Sequence, residues 1–576
     1  MQDFSFFTES PLFSVVPVFV NAGAALLPAL FAGLASALAL LFKPKELFRV
    51  CRSKPYIPLI VIAVGGLLYF IIEWTSASGA TSTSEAAVRT SRGGGDALLH
   101  SSGTDWSRVA IEILRQEQRA RLEQGITPSV ETSGSNASDE PGDSSPSEDV
   151  NEAAVAGPLV YRAGYERSGY QGGPSPAGLS LLWEFRQDDT MVLSSPLVSG
   201  QFVYCATAYL DPPSTYGSVF CLDLKTGELV WETYLRSPSP EIDFKGFFSS
   251  PALTADGKNL IIGQGLHTDG ESELVCLDAA NGSVKWLLPT PLHIESSPAI
   301  EGDIVVAGVG AIETGSDHKP KGDPEGRGHP GYVLGARVSD GKELWRFPVI
   351  DPESSPAIHD GIAFIGSGIN GGEVVALKIA ADLSEEDRLL WRIATPFPAT
   401  GSVTLYEDLV LIGCGNGDFV FAAPNPQGMV MALDRASGEE LWSVRMPDAV
   451  LGTIAVRDGI AICPIRNGEI VALDLKDEGK ELWRQQISER SPALAGPAFT
   501  GTHVYATTSD GYLSVLDAEN GKVIEKIYIN HKSHPGELGL TFSSPLVTDG
   551  RVIVGSETGG LRCYVSAAPS AEEEVK

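Results

Sequence analysis

The stretch Cys221-Leu222-Asp223-Leu224-Lys225-Thr226-Gly227-Glu228-Leu229-Val230-Trp231 compresses to LDxxxGxxxW, and the chain repeats that phrase. Cys276-Leu277-Asp278 runs through Gly282 to Trp286, and Ala432-Leu433-Asp434 runs through Gly438 to Trp442. A fourth copy, Ala472-Leu473-Asp474 to Trp483, holds one extra residue in its turn. Looser copies end on Trp183 and Trp391, place Gly341 ahead of Trp345, or keep Asp517 and Gly521 without a tryptophan. Ser-Ser-Pro and an apolar run precede most copies, at Ser195-Pro196, Ser250-Pro251, Ser297-Pro298, Ser355-Pro356 and Ser544-Pro545. Tandem units of this size bury a face only against their neighbours.

Each part of the unit has a physical task. Runs such as Phe202-Val203-Tyr204 and Ile304-Val305-Val306 are β-branched and aromatic, which suits short strands. The Asp opens a tight hairpin by accepting backbone hydrogen bonds, and the Gly closes it with a positive φ. The Trp falls on the outermost strand, where a flat side chain wedges between adjacent sheets. With 41 to 59 residues between tryptophans, each unit has room for four strands, the anatomy of one propeller blade.

Starting strands near Ser195, Ser250, Ser297, Ser355, Val403, Thr453, Pro497 and Ser544 make eight blades. The eighth stops at Cys563-Tyr564-Val565 without an outer strand, while an orphan strand, Leu182-Trp183-Glu184-Phe185, stands ahead of the first. The ring is therefore expected to close by lending that strand to the last blade, leaving no open sheet edge. The fold class is all-β: an eight-bladed propeller over 179–566, with a disordered tail at 567–576.

These units resemble the pyrroloquinoline quinone (PQQ) type repeats shared by quinoprotein dehydrogenases and the non-enzymatic BamB outer-membrane assembly lipoproteins. The Asp, Gly and Trp positions are specific to that fold and not to one function. Arg337 and Lys378 replace the turn Asp in units three and four, and Glu525 replaces the seventh unit's Trp. The resemblance implies either a protein-interaction scaffold, in envelope assembly as for BamB, or a PQQ-dependent dehydrogenase with calcium over the central channel. Against the enzyme stand the lack of the adjacent Cys-Cys pair typical of that family and loops too short to build an active face. No cofactor is expected, and PQQ with Ca2+ belongs to the enzyme alternative. A ligand-sensing propeller is a further alternative.

The first 75 residues suit a different solvent. No charge occurs between Glu9 and Lys43, and the span 21–42 is long enough to cross a bilayer as a helix. A second apolar span, 57–74, is framed by Tyr56 and Trp74 as interfacial anchors. A cleaved signal peptide fits poorly, because the basic residues follow the apolar core rather than precede it. Between the spans Lys43, Lys45, Arg49, Arg52 and Lys54 outnumber Glu46, so the loop is cytoplasmic by the positive-inside rule. The propeller is then expected in the periplasm or an equivalent outer compartment, tethered to the inner (cytoplasmic) membrane. Cys51 lacks the small preceding residues of a lipoprotein signal, a departure from BamB. Residues 76–178 are rich in Ser, Gly and acids and read as a disordered linker, interrupted at 105–124 by an amphipathic helical stripe.

With 73 acids against 42 bases and a net charge of -31, the chain repels nucleic acid. Envelope or membrane proteins are the expected partners. The cysteines include no CxxC pair and no CxxCH, although Cys205 and Cys221 sit on neighbouring strands where a disulfide is conceivable. Two insertions stand out. Glu313 to Gly331 carries Asp317, His318, Asp323, Glu325 and His329, and the segment around Asn416, Asp418, Phe419 and Phe421 offers a partner-contact surface. His531 and His534 are too few for a metal site. Glu295 and Glu353, each just before Ser-Ser-Pro in consecutive blades, are expected to face the channel mouth, where they can bind a cation or stay solvated.

Overall fold

A computed structural model describes residues 158–567, apart from 212–213, 235–243, 267–269, 311–330, 369–370, 420–421 and 537. The spans 21–42 and 57–74, the 105–124 stripe, Phe421 and nearly all of the Glu313–Gly331 insertion lie outside the described residues. Among the described residues no helix is long and apolar enough to cross a membrane.

Eight four-stranded antiparallel sheets form the ring. In blade one the strands are Leu197–Ser199, Phe202–Ala206, Val219–Asp223 and Leu229–Thr233, from the centre outward. The middle two are buried on both faces and read as unbroken apolar runs. The outer strand alternates, as in Glu343–Pro348 of blade three. Apolar clusters fill each blade-to-blade gap. One joins Tyr204 and Trp231 of blade one to Leu260 and Val275 of blade two, and another joins Leu546 and Cys563 of blade eight to Val198 and Phe220 of blade one.

Closure follows the orphan-strand expectation. Leu179–Phe185 pairs antiparallel with Gly560–Ser566 as the outer strand of blade eight. Glu184, opposite Arg562 in the ladder, places a carboxylate oxygen 2.6 Å from its guanidinium.

The repeat residues make one lattice around the perimeter. Asp223 Oδ1 accepts from the backbone N–H of Lys225 and Thr226, each at 2.9 Å, and Gly227 has φ +74°. Trp231 of blade one lies on the turn glycine of blade two: a Cβ added at Gly282 would stand 2.4 Å from the indole. The same indole donates to Ala279 O at 3.0 Å. Trp183, Trp286, Trp391, Trp442 and Trp483 meet Gly227, Gly341, Gly438, Gly479 and Gly521 in the same way.

The three departures from the pattern each have a substitute. Where Arg337 replaces the Asp, Asp303 from the neighbouring hairpin accepts Ser339 N–H at 2.9 Å. Blade four has no turn glycine, so Arg388, at the end of the helical turn Glu385–Arg388, stacks its guanidinium 4.1 Å from the Trp345 ring. That guanidinium donates to the carbonyls of Lys378 and Ala380. Blade eight borrows its outer strand and so has no strand-three-to-four turn for a seventh-blade Trp to meet. Glu525 stands there and accepts Leu179 N–H at 2.9 Å.

Each outer strand also carries a bulge at the residue before its Trp, or before Glu525 in blade seven, for example between Cys221↔Trp231 and Leu222↔Leu229. The eight bulged positions include Leu182, Val230, Leu390, Leu441, Leu482 and Ile524, all exposed. A bulge twists an edge away from pairing, which guards the perimeter against a foreign strand.

Two expectations change. Cys205 and Cys221 are free thiols: Cys205 faces Phe220 in the ladder while Cys221 faces Tyr204, so the two project from opposite faces of the blade. Burial pushes both thiols up to about 12. The linker, read as reaching 178, gives way to ordered chain from 158, which packs against the ring.

Candidate functional site

Ser-Ser-Pro does more than introduce a strand. The second serine of one blade donates its N–H to the hydroxyl of the next: Ser195 to Ser250, Ser250 to Ser297 and Ser297 to Ser355, each at 2.9 Å. Ser355 donates to Ser402 at 3.1 Å, Gly496 to Ser544 at 3.1 Å, and Ser544 to Ser195 at 2.9 Å. These six bonds form a girdle of backbone and hydroxyl groups that runs around the channel from blade seven through blade one to blade five. The first serines brace it, as when Ser296 Oγ accepts Gly308 N–H and donates to Ser354 O.

Two residues before each girdle position stands a side chain that lines a central cavity. Blades three, four and five contribute Glu295, Glu353 and Thr400. Blades six, seven, eight, one and two contribute Leu451, Leu494, Phe542, Leu193 and Phe248. One wall is therefore acidic and hydroxylic, and the other is apolar. Phe419, from the blade-five insertion, has its ring centroid 6.3 Å from that of Phe248 and 5.7 Å from that of Phe542, which lie 5.6 Å from each other, so three aromatic rings gather across one end.

The other end is stopped by the segment that precedes the closing strand. Tyr161 Oη lies 3.2 Å from Thr453 Oγ1 and 3.3 Å from Ser544 Oγ, placing its ring on the cavity floor. Around it the backbone bonds outward to the inner strands: Leu159 to Leu253, Tyr165 to Leu405, Glu166 to Val456, Ser168 to Phe499 and Gly169 to Val547. Arg162 donates to Gly496 O and Pro497 O, and Arg167 donates to Pro356 O and to Val403 O. Both guanidinium groups are buried, which pushes each down to about 10. Arg162, Ala163 and Arg167 hold left-handed φ of 58°, 64° and 51°. Such backbone costs roughly 1–2 kcal/mol per non-glycine residue and persists where surrounding bonds dictate it. Composition alone hid this plug, because its partners are carbonyls of distant strands.

Glu295 and Glu353 are brought to one wall by equivalent positions in consecutive blades, as their spacing implied. They are buried rather than solvated: Glu295 is 8% exposed and the Glu353 side chain 6%. His293 Nε2 stands 3.8 Å from Glu353 Oε1. No group of three or more metal-ligating side chains occurs among the described residues. His531 and His534 meet at 3.1 Å between Nδ1 atoms in an outer loop, far in sequence from any acid cluster.

The blade-five insertion is reorganised relative to the partner-surface reading. Asn416 ties its two ends together, accepting Gln427 N–H and donating to Asn425 O, and Asp418 O accepts Arg466 Nε–H at 2.8 Å. Phe419 is thereby turned in toward the channel, and the exposed described residues of the insertion are 422 and 424–427.

The lining does not fit PQQ. That cofactor is a planar tricarboxylate, and the wall presents two carboxylates with no Lys, Arg or Trp among the described lining residues. Like charge at close range disfavours it.

Comparison with known proteins agrees with this architecture. The chain is 23% identical over 358 residues to the outer membrane protein assembly factor BamB of Yersinia pestis, covering 60% of this chain and 80% of that one. It is 23% identical over 381 residues to the quinoprotein alcohol dehydrogenase PedH of Pseudomonas putida, of whose length it spans 52%. In structure it is similar to the quinohemoprotein alcohol dehydrogenase from Comamonas testosteroni, with a TM-score of 0.53, 15% identity, and coverage of 73% of this chain and 82% of that one. That likeness concerns the fold alone. Residues 176–317 and 330–575 match the family described as outer membrane protein assembly factor BamB, and the chain belongs to that family of PQQ-like repeat propellers.

Proposed function

We propose that this protein is a non-catalytic protein-interaction scaffold of the cell envelope, working without a cofactor and held to the inner membrane by its amino-terminal spans, with the propeller in the periplasm. The observation that carries the reading is that, among the described residues, three of the four exposed tyrosines lie on one face. Strand-two-to-three and blade-to-blade connections leave the ring on the same side, and there Tyr209, Tyr216, Tyr234, Ile350 and Leu538 are exposed. Tyrosine supplies large contact area at low entropic cost, and it is enriched at interface centres. The opposite side carries the tight turns and the plug, with little loop available for a partner. The family match and the BamB relative support an envelope-protein partner.

The test places a photo-crosslinking side chain at Tyr216, Tyr234 or Asn425 in the full-length chain, with Leu482 on the perimeter as control. The expected result is one crosslinked envelope protein from the loop face and none from Leu482. Equal crosslinking at Leu482, or none from the loop face, overturns the reading. A periplasm-restricted thiol label reacting with a cysteine at Asn425 and not with one at Ser53 tests the orientation.

A further inference from the structure

We infer that the central cavity is a binding site for a small organic cation carrying an apolar body, such as an arylalkyl ammonium. This goes beyond the scaffold reading and does not depend on it.

The cavity is divided by chemistry. Blades three and four bring two buried carboxylates to one wall, while Leu451, Leu494 and Phe542 make the opposite wall apolar. Carboxylates facing one enclosed space in a low-dielectric surround create a potential that favours positive charge, and aromatic faces add cation–π attraction. The lining includes no Lys or Arg among the described residues. A second, independent observation points to a ligand. Thr400 lines the cavity, is 6% exposed, and its hydroxyl has no hydrogen-bond partner among the described residues. A buried hydroxyl without a hydrogen bond is costly, and a ligand N–H or hydroxyl satisfies it. A bare divalent ion uses the carboxylates but leaves the apolar wall without a role. An ammonium with an aromatic or aliphatic body uses both walls, its head at Glu295, Glu353 and Thr400.

The experiment titrates the full-length protein in detergent by calorimetry and thermal melting with four probes: phenethylamine, phenethyl alcohol, phenylacetate and calcium chloride. The expected result is saturable binding of one phenethylamine per chain with a raised Tm, since a ligand bound only by the folded state stabilises it by mass action. The neutral alcohol is expected to bind at least about tenfold more weakly, and phenylacetate and calcium alone to give no shift. Glu295→Gln with Glu353→Gln is expected to remove the preference for amine over alcohol. Phe542→Leu lowers affinity for both, and circular dichroism with gel filtration verifies that each variant is folded. Where the double variant fails to fold, Thr400→Val and Phe542→Leu carry the test. Absence of phenethylamine binding overturns the inference, as does a shift from calcium or phenylacetate equal to that from the amine. The crosslinking test of the scaffold is read separately, so either proposal can fail alone.

Discussion

The perimeter and the hub of this ring follow opposite rules. On the perimeter one contact is repeated: an indole from one blade lies on the turn glycine of the next, and departures such as Arg388 over Trp345 restore the same stacking by other means. At the hub, each blade places a side chain at the same position two residues before the girdle, yet the occupants run from leucine through phenylalanine to threonine and glutamate. Sameness at equivalent positions accompanies stability, because each repeat interface must hold its neighbour. Difference at equivalent positions breaks the symmetry of the channel, and asymmetry is what a ligand or partner can recognise.

The largest expected effect lies on the perimeter. Trp231→Ala should lower unfolding free energy by about 3–5 kcal/mol, the usual loss for a buried aromatic, whereas Phe419→Leu at the hub should cost under about 1.5 kcal/mol. Denaturant melts of the two variants compare them directly, and equal losses would erase the division. Next comes Gly282→Ala, expected to cost about 2–4 kcal/mol because the new methyl meets the Trp231 ring at a φ of +73°. In a Trp231→Ala background most of the steric part should vanish, giving a coupling of about 0.5–3 kcal/mol in a double-mutant cycle. Additive losses would mean that indole and glycine do not share one contact. A smaller loss, about 1 kcal/mol, is expected for Asp434→Ala, which removes the acceptor for Ser437 and Ala436 N–H in the turn.

The smallest effect is one of pH. The Ser437 hydroxyl and N–H hold the Asp434 carboxyl below its ordinary value, Thr226 N–H does so for Asp223, and the Lys285 ammonium does so for Asp278. A carboxyl depressed on folding contributes stability above its unfolded pKa and loses it as pH falls through the folded one, so the loss begins below about pH 4. These groups are exposed and screened, and the wild-type Tm should fall only slightly more steeply with acid than that of Asp434→Ala. A Tm that rises on acidification through that window would reverse the assignment.

What was legible in the chain tracks the range of the interaction. The turn Asp and Gly act within five residues, so LDxxxGxxxW exposes them, and the Trp is marked by its fixed distance from that turn. Closure was legible by subtraction, one strand missing at the end and one spare at the start. The replacements for Arg337 and Lys378 were not, since Asp303 reaches its turn from another hairpin and Arg388 stands ten residues along a lengthened turn, outside the spacing of the repeat. Ser-Ser-Pro marks the channel position in only five blades, and Thr400, Leu451 and Leu494 stand in the three units without that phrase, so the two glutamates are conspicuous by their charge and these three are not. The plug left no sequence signal: Arg162 and Arg167 satisfy scattered backbone carbonyls, and two arginines in a Gly-rich stretch resemble solvated linker.

The pairing of Leu179 with Ser566 also has a consequence in time. Chain leaving a ribosome or a translocation channel delivers the spare strand first and its partner last, so seven blades can stack while the eighth waits. During that interval Leu181, Leu182 and the outer face of the strand are apolar and unpaired, a vulnerable period in folding. Maturation of the ring thus depends on arrival of its final strand, and truncation within the last blade should release both ends of the circle together.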